Sequence, residues 1–382
     1  MPKFKIFTWN YGKSTPGKLD CIANTLFTET DTIYVVGLQE VSTFDILQIT
    51  NYIDKITDKT QYNFTYGRKS STTMGFDLLT FIIYPKSVSI NFKKNNFGYI
   101  SRTKSVASSS KSIMGDTKGY LWIDLVINNV DVTVVNIHLP FQNSDFSSEN
   151  FKMLYNNFQD KTNVIIFGDY NTRSTVDDTC LTESSCSNVL FEKNAKGSVS
   201  ILQDKLNECK TIPGDCGPVK EKLISNDYLN AVKSTTMNGY NEAQINFLPS
   251  YKFNNSGIYS LKKGDKKRLV GYADRILVKG ANLNILSDSY KLGECLGNDH
   301  LPVMVDVELV SGVPQNMMQP KPQADMLTDP LTESLSEPQE EIPDKYLGGI
   351  IKRRSRRSKK TKNKTIKKHK KSKGRKRVSR AH

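Results

Sequence analysis

No stretch of this 382-residue chain comes near 18 apolar residues in a row, so no transmembrane helix is expected. The opening Met1 to Asn10 lacks the apolar core of a secretory leader and reads as a strand that enters a core at once. Intracellular residence, cytoplasmic or peripheral to a membrane, is therefore expected. Zinc-finger spacing is missing too. Cys180 and Cys186 have five residues between them and Cys209 and Cys216 six, where structural zinc sites prefer two to four. Reduced thiols are the expectation for an intracellular chain, with a local disulfide in this stretch left open. Acid is absent from 352–382, which hold 18 Lys or Arg; the preceding 351 residues carry 36 bases against 39 acids. The net charge of +15 thus belongs to a tail and implies no basic folded body.

What is present falls into three zones. Residues 1–310 alternate apolar runs with helical and loop segments and are expected to form one catalytic-sized domain. Residues 311–351 hold six of the 14 prolines and few large apolar side chains, which reads as a disordered linker. The basic stretch 352–382 reads as a disordered tail, suited to nuclear targeting, nucleic-acid contact or attraction to an anionic membrane.

Strands are expected at Lys3–Trp9, Ile33–Leu38, Leu78–Tyr84, Gly119–Ile127, Val130–Ile137, Asn163–Phe167, Arg275–Val278 and Val303–Leu309, from their β-branched and aromatic runs. Helices are expected near 18–28, 43–56, 147–158 and 198–209. Residues 174–245 give the weakest pattern and read as an elaborated insertion. Many strands with interspersed helices suggest a two-sheet α/β sandwich.

Polar residues recur where the strands stop: Asn10, Glu40, His138, Asp169 with Asn171, Asp274, and Asp299 with His300. Singly, each has an ordinary explanation. Gly168-Asp169-Tyr170-Asn171 has turn composition, Glu40 suits a helix N-terminus, and either histidine suits a structural role. Together they supply the hard oxygen donors that Mg²⁺ prefers and two imidazoles for a phosphate. Two of only four histidines stand in Asn136-Ile137-His138-Leu139 and Asn298-Asp299-His300-Leu301-Pro302.

These segments, with Thr8-Trp9-Asn10 and Leu38-Gln39-Glu40, resemble in order and spacing the motifs of the endonuclease/exonuclease/phosphatase (deoxyribonuclease I-like) superfamily. Within it, Phe247-Leu248-Pro249-Ser250-Tyr251-Lys252-Phe253 and Lys266-Lys267-Arg268 are similar to segments of the inositol polyphosphate 5-phosphatases. Gly168–Arg173 resembles their Gly-Asp-x-Asn-aromatic-Arg motif, with Thr172 in place of the aromatic. Gly271–Leu277 resembles their Asp-Arg-Ile-Leu segment, with the preceding Pro, Trp and Cys changed.

The resemblance implies an α-β-β-α sandwich of two packed mixed sheets. It implies Mg²⁺, with Mn²⁺ as the alternative, held by Glu40 and Asn10, with Asp299 as a direct or neighbouring ligand. It further implies Asp169 as the group that orients and deprotonates water, Asn171, His138 and His300 on phosphate oxygens, and Asp274 orienting His300. Tyr251, Lys252, Lys266 and Arg268 would grip the neighbouring ring phosphate, Arg173 would join the substrate contacts, and Lys118 would reach a more distant lipid phosphate. The implied activity is removal of the 5-phosphate from inositol polyphosphates or phosphoinositides. A nuclease on the same scaffold and a non-catalytic phosphoinositide-binding member are the alternatives.

Overall fold

The computed structural model describes residues 2–12, 16–70, 76–99, 118–140, 144–172, 174, 198–211, 216–260 and 270–310. The expected linker and tail, and with them Cys180, Cys186, Arg173, Lys266 and Arg268, lie outside these residues.

Among the described residues eleven strands build two sheets. The first runs in the order β10 (Leu283–Leu292), β11 (Val303–Leu309), β1 (Lys3–Asn10), β2 (Thr32–Ser42), β4 (Phe76–Pro85), β3 (Tyr62–Lys69). The second runs β5 (Ile90–Tyr99), β6 (Gly119–Ile127), β7 (Val130–His138), β8 (Val164–Asp169), β9 (Asp274–Lys279). Each is mixed, with parallel pairs β1–β2 and β7–β8 among antiparallel ones.

The layers follow from alternation along each strand. Phe4 and Ile6 of β1, Ile33 and Val35 of β2, Val132 and Val134 of β7, and Ile165 and Phe167 of β8 share the core between the sheets. Their neighbours face outward. Phe7, Trp9, Tyr34, Val36 and Leu38 pack under α1 (Pro16–Thr25) and α2 (Ile46–Ile56). Val135, Ile137 and Ile166 pack under α3 (Ser144–Phe158) and α6 (Tyr228–Thr236). The result is the expected α-β-β-α sandwich. Its sheets approach closely: a Cβ on Gly37 would lie 2.1 Å from the Phe167 ring, so only glycine fits there. α4 (Ser198–Thr211) and α5 (Gly217–Ser225) add Leu202, Leu206, Val219 and Leu223 to the same inter-sheet core.

Three strands were not anticipated, and all three are sheet edges: β3, β5 and β10. An edge strand buries less and carries more polar residues. Ile90–Tyr99, for example, reads INFKKNNFGY, without an apolar run to mark it. Helices α5 and α6 were also missed, in the stretch with the weakest pattern.

The thiol expectation is corrected. Cys21 on α1 is bonded to Cys295, and Cys209 to Cys216; among the described residues no cysteine is free. The first bridge closes a loop of 274 residues and ties α1 to the segment leading into Asp299 and His300. A Cys21→Ser/Cys295→Ser variant is expected to lose about 2–4 kcal/mol of unfolding free energy, and a urea titration beside wild type measures it. An unchanged midpoint would show that the bridge contributes nothing. No described helix is long and apolar enough to cross a membrane.

Candidate active site

At one end of the inter-sheet core the inward positions change from apolar to polar. Along β1 the inward series Phe4, Ile6, Thr8 ends at Asn10; along β7 it ends at Asn136 and His138; along β8 it ends at Asp169. β9 begins there with Asp274, the register partner of Asp169. His300 stands just before β11 and bridges Tyr251.

Alternation alone would put Glu40 of β2 on the outer face with Leu38. It does not stay there. The β2–β4 register breaks between Leu38 and Val41, and Glu40 has φ +54, in the left-handed region. A bulge re-aims a side chain in this way, and a non-glycine residue held so is a mark of functional sites. The carboxylate reaches His138 of the opposite sheet, with Oε1 at 3.3 Å from Nε2.

Asp169 is the hub. Its Oδ2 accepts from Asn10 Nδ2 at 2.8 Å and Asn171 Nδ2 at 3.1 Å, and its Oδ1 accepts from the Asn171 amide at 2.7 Å. His138 Nε2 lies 3.4 Å from the same Oδ2. Asn171 Nδ2 also donates to Leu139 O at 2.7 Å. Gly168 permits the close strand approach beneath, since a Cβ there would meet Ile137 O at 2.1 Å.

A second chain of contacts runs through Asp274. Its Oδ2 lies 2.8 Å from His300 Nδ1 and accepts from Ser250 Oγ at 2.8 Å. Ser250 Oγ in turn accepts from the Asp274 amide. Trp9 Nε1 donates to His300 O at 3.0 Å, which joins β1 to this loop.

The electrostatics follow from this packing. Burial would raise the Glu40 carboxyl, but the His138 hydrogen bond and the charges of His138 and Lys118 hold it well below the usual carboxylate range. Burial would raise Asp169 too; the His138 hydrogen bond and the charges of His300, His138 and Lys118 hold it far down. Burial disfavours a charged His300, yet the charge and hydrogen bond of Asp274, with Asp169 and Asp299, push its pKa up to about 9. The site therefore holds ionised carboxylates beside a charged imidazole near neutral pH.

The donor set fits a magnesium-type ion. Such an ion keeps several waters and needs one or two carboxylates, not a protein cage, and among the described residues no cage of three or more His, Cys, Asp or Glu is present. Glu40 has its side chain 35% exposed, so an ionised carboxylate opens to solvent. With Asn10 Nδ2 given to Asp169, the amide oxygen remains as its donor. Asp299 is half-buried and makes no hydrogen bond to Glu40 or Asn10 among the described residues.

Tyr251 and Lys252 are buried beside His300, with the Tyr251 ring 4.6 Å from the imidazole and Lys252 Nζ 5.8 Å from the Tyr251 ring. Lys118 is also drawn into the centre. Its ammonium contacts His138 Nε2 and lies 3.6 Å from Glu40 Oε1.

Three further residues support the site. Gln39 Nε2 donates to Thr8 Oγ1 at 3.0 Å and to Asn136 Oδ1 at 2.7 Å, and Asn136 Nδ2 donates to Leu79 O at 2.8 Å. This fully buried strut links the two sheets directly beneath Glu40 and His138. With Ser250, these residues were visible only as members of motifs. No pattern in the chain says that Gln39 and Asn136 meet.

Arg275 points away from the site, as alternation from Asp274 requires. It is wholly buried against Asp227 and Glu242, with Nη1 at 2.6 Å from the former and Nε and Nη2 at 2.5 Å from the latter.

Comparison with known proteins places this geometry in context. The model of Endonuclease/Exonuclease/phosphatase family 2 matches residues 7–210 and 218–306. Type I inositol polyphosphate 5-phosphatase 5 of Arabidopsis thaliana is 37% identical over 89 residues, 22% of this chain and 16% of that protein. Type IV inositol polyphosphate 5-phosphatase 7 of the same plant is 39% identical over 87 residues, 21% and 14% of the two chains. The matched stretch thus spans about a sixth of the length of these curated relatives. Among solved structures, the inositol polyphosphate 5-phosphatase domain of SPsynaptojanin, in complex with inositol (1,4)-bisphosphate and calcium ion, superposes with a TM-score of 0.57 at 20% identity, over 80% of this chain and 84% of that one. A Cimex nitrophorin, in a ferrous NO complex, superposes at 0.54 and 18% identity, over 81% and 98%. At such identities these likenesses establish the fold alone.

Proposed function

The chain belongs to Endonuclease/Exonuclease/phosphatase family 2, and from that premise we propose that it is a metal-dependent phosphomonoesterase acting on inositol polyphosphates or phosphoinositides. The observation that carries this is the convergence of Asn10, Glu40, His138, Asp169, Asn171 and the His300–Asp274 pair at one end of the sandwich.

Glu40 and Asn10 would hold the ion, with Asp299 close by; Mg²⁺ is the choice and Mn²⁺ the alternative. When bound, the ion neutralises charge on the phosphate and the leaving oxygen. Asp169 orients the attacking water and takes its proton as the new P–O bond forms and the P–O bond to the inositol ring breaks, the ring oxygen leaving as the alcohol with a proton from solvent. A carboxylate held so far down is a weak base but a dependable anion, aimed by three hydrogen bonds from Asn10 and Asn171. His300 commits Nδ1 to Asp274, which leaves Nε2 for a phosphate oxygen, and its charge suits the transition state. Asn171 and His138 hold the remaining phosphate oxygens in line.

Substrate choice within the class rests on Tyr251 and Lys252, buried beside His300, and on the two short alignments with plant 5-phosphatases. Lys266, Arg268 and Arg173 belong to the same proposal from the sequence. The tail, with 18 bases, would draw the enzyme to an anionic membrane at about 1 kcal/mol per residue near the surface. The two disulfides among the described residues weigh against a reducing compartment.

The second reading is a nuclease, because the same centre would hydrolyse phosphodiesters and the tail would hold nucleic acid through its phosphates. Phosphate release is to be measured on phosphatidylinositol 4,5-bisphosphate, inositol 1,4,5-trisphosphate and plasmid DNA, with Mg²⁺ and with chelator. Chelator-sensitive release from the inositol substrates is expected. DNA nicking without phosphate release would reject the phosphatase.

A further inference from the structure

The resemblance assigns Lys118 to a distant phosphate, but the fold takes it elsewhere. Gly119 opens β6 opposite His138 of β7, and the ammonium of Lys118, just before the strand, contacts that imidazole. The backbone there has no room to shift. Gly119 has φ +151, and a Cβ on it would meet Gly98 O at 2.2 Å and Lys69 Cε at 2.8 Å. Lys118 is 5% exposed, and its stem runs inward. Its ammonium rests on His138 Nε2 and 3.6 Å from Glu40 Oε1. The same imidazole nitrogen is 3.4 Å from Asp169 Oδ2.

Glu40 of one sheet and Asp169 of the other therefore meet at His138 Nε2, and Lys118 joins them there through His138 and Glu40. The geometry points to Lys118 as a reaction-centre residue: its ammonium competes with the divalent ion for Glu40 and would face the phosphate being removed. Lysine suits this task. It is a point charge on a flexible four-carbon stem, able to move a few ångströms without breaking a fork of hydrogen bonds.

The substrate arm of this inference rests on the phosphatase reading; the metal arm does not. Mn²⁺ binding is measured on the full chain, by electron paramagnetic resonance of free Mn²⁺, for wild type, Lys118→Met and Lys118→Gln, after circular dichroism confirms folding. The variants are expected to bind Mn²⁺ roughly ten-fold or more tighter, because a competing cation near 4 Å is gone. Turnover is then compared on inositol 1,4,5-trisphosphate and inositol 4,5-bisphosphate, which lacks the distant phosphate. A kcat loss of roughly 10²-fold, equal on both and with KM little changed, is expected. Unchanged Mn²⁺ affinity in a folded variant overturns the inference, as does a loss confined to the KM of the trisphosphate. Absence of turnover by wild type would fault the phosphatase reading while the Mn²⁺ result still decides the role of Lys118.

Discussion

Asp169→Asn is expected to lower phosphate release by roughly 10²–10⁴-fold, the range for losing one acid–base partner, with the sandwich intact. The substitution keeps the shape but turns one oxygen into a donor. Asn10 Nδ2, the Asn171 amide and Asn171 Nδ2 all donate to this carboxylate, so one of them must then face another donor. The water loses both its aim and its proton acceptor. Stability falls as well. The folded pKa of Asp169 is depressed, so its contribution is complete above the unfolded value of 3.8 and is lost only as pH falls toward the lower folded value. At neutral pH the variant forgoes all of it. Single-turnover phosphate release and a urea titration at pH 7 separate the two effects. A folded variant with more than a tenth of wild-type kcat would remove Asp169 from its assigned role.

Arg275→Met is expected to cost about 3–5 kcal/mol, the scale for breaking a buried ion pair from one side. The guanidinium meets Asp227, Glu242 and Asn230, the last at 3.0 Å, in a place with no solvent. Methionine fills much of the volume but leaves two carboxylates without their cation. Lys233 remains 3.2 Å from Glu242 and offsets part of the loss. Asp227 caps α6 by accepting from the Asn230 amide, so that helix loosens from the outer face of β9 first. The pH dependence identifies the cause. Burial already holds the Asp227 carboxyl above its ordinary value; with the cation gone it rises further, so the variant is relatively more stable in acid and loses that benefit as pH rises through the folded value. Denaturation midpoints of wild type and variant between pH 4 and pH 8 should therefore draw together at the acid end. A gap that stays constant across that range would assign the loss to packing and not to charge.

Arg275 shows where reading the chain stops. In Ala273-Asp274-Arg275-Ile276 it stands next to Asp274 within one motif. One step along a strand reverses the direction of a side chain, so Asp274 enters the site and Arg275 anchors an insertion behind the sheet. Lys118 is the opposite case. The resemblance gave it a distant phosphate, and the fold brings its ammonium to His138 and Glu40.

By itself the chain determined the central strands, because buried β-runs such as Asn163–Phe167 cannot be mistaken for loops. It also determined the identity of the polar residues that end them, because an apolar run that stops at Asn, Glu, His or Asp is visible without coordinates. Edge strands β3, β5 and β10 left too little apolar signal to be read. Only the tertiary structure decided which polar residues meet. The left-handed turn at Glu40, the Gln39–Asn136 strut, the Ser250 contact to Asp274 and the Cys21–Cys295 bridge all join segments far apart in sequence. Such contacts depend on the spacing and register of two packed sheets, and local composition carries no record of either.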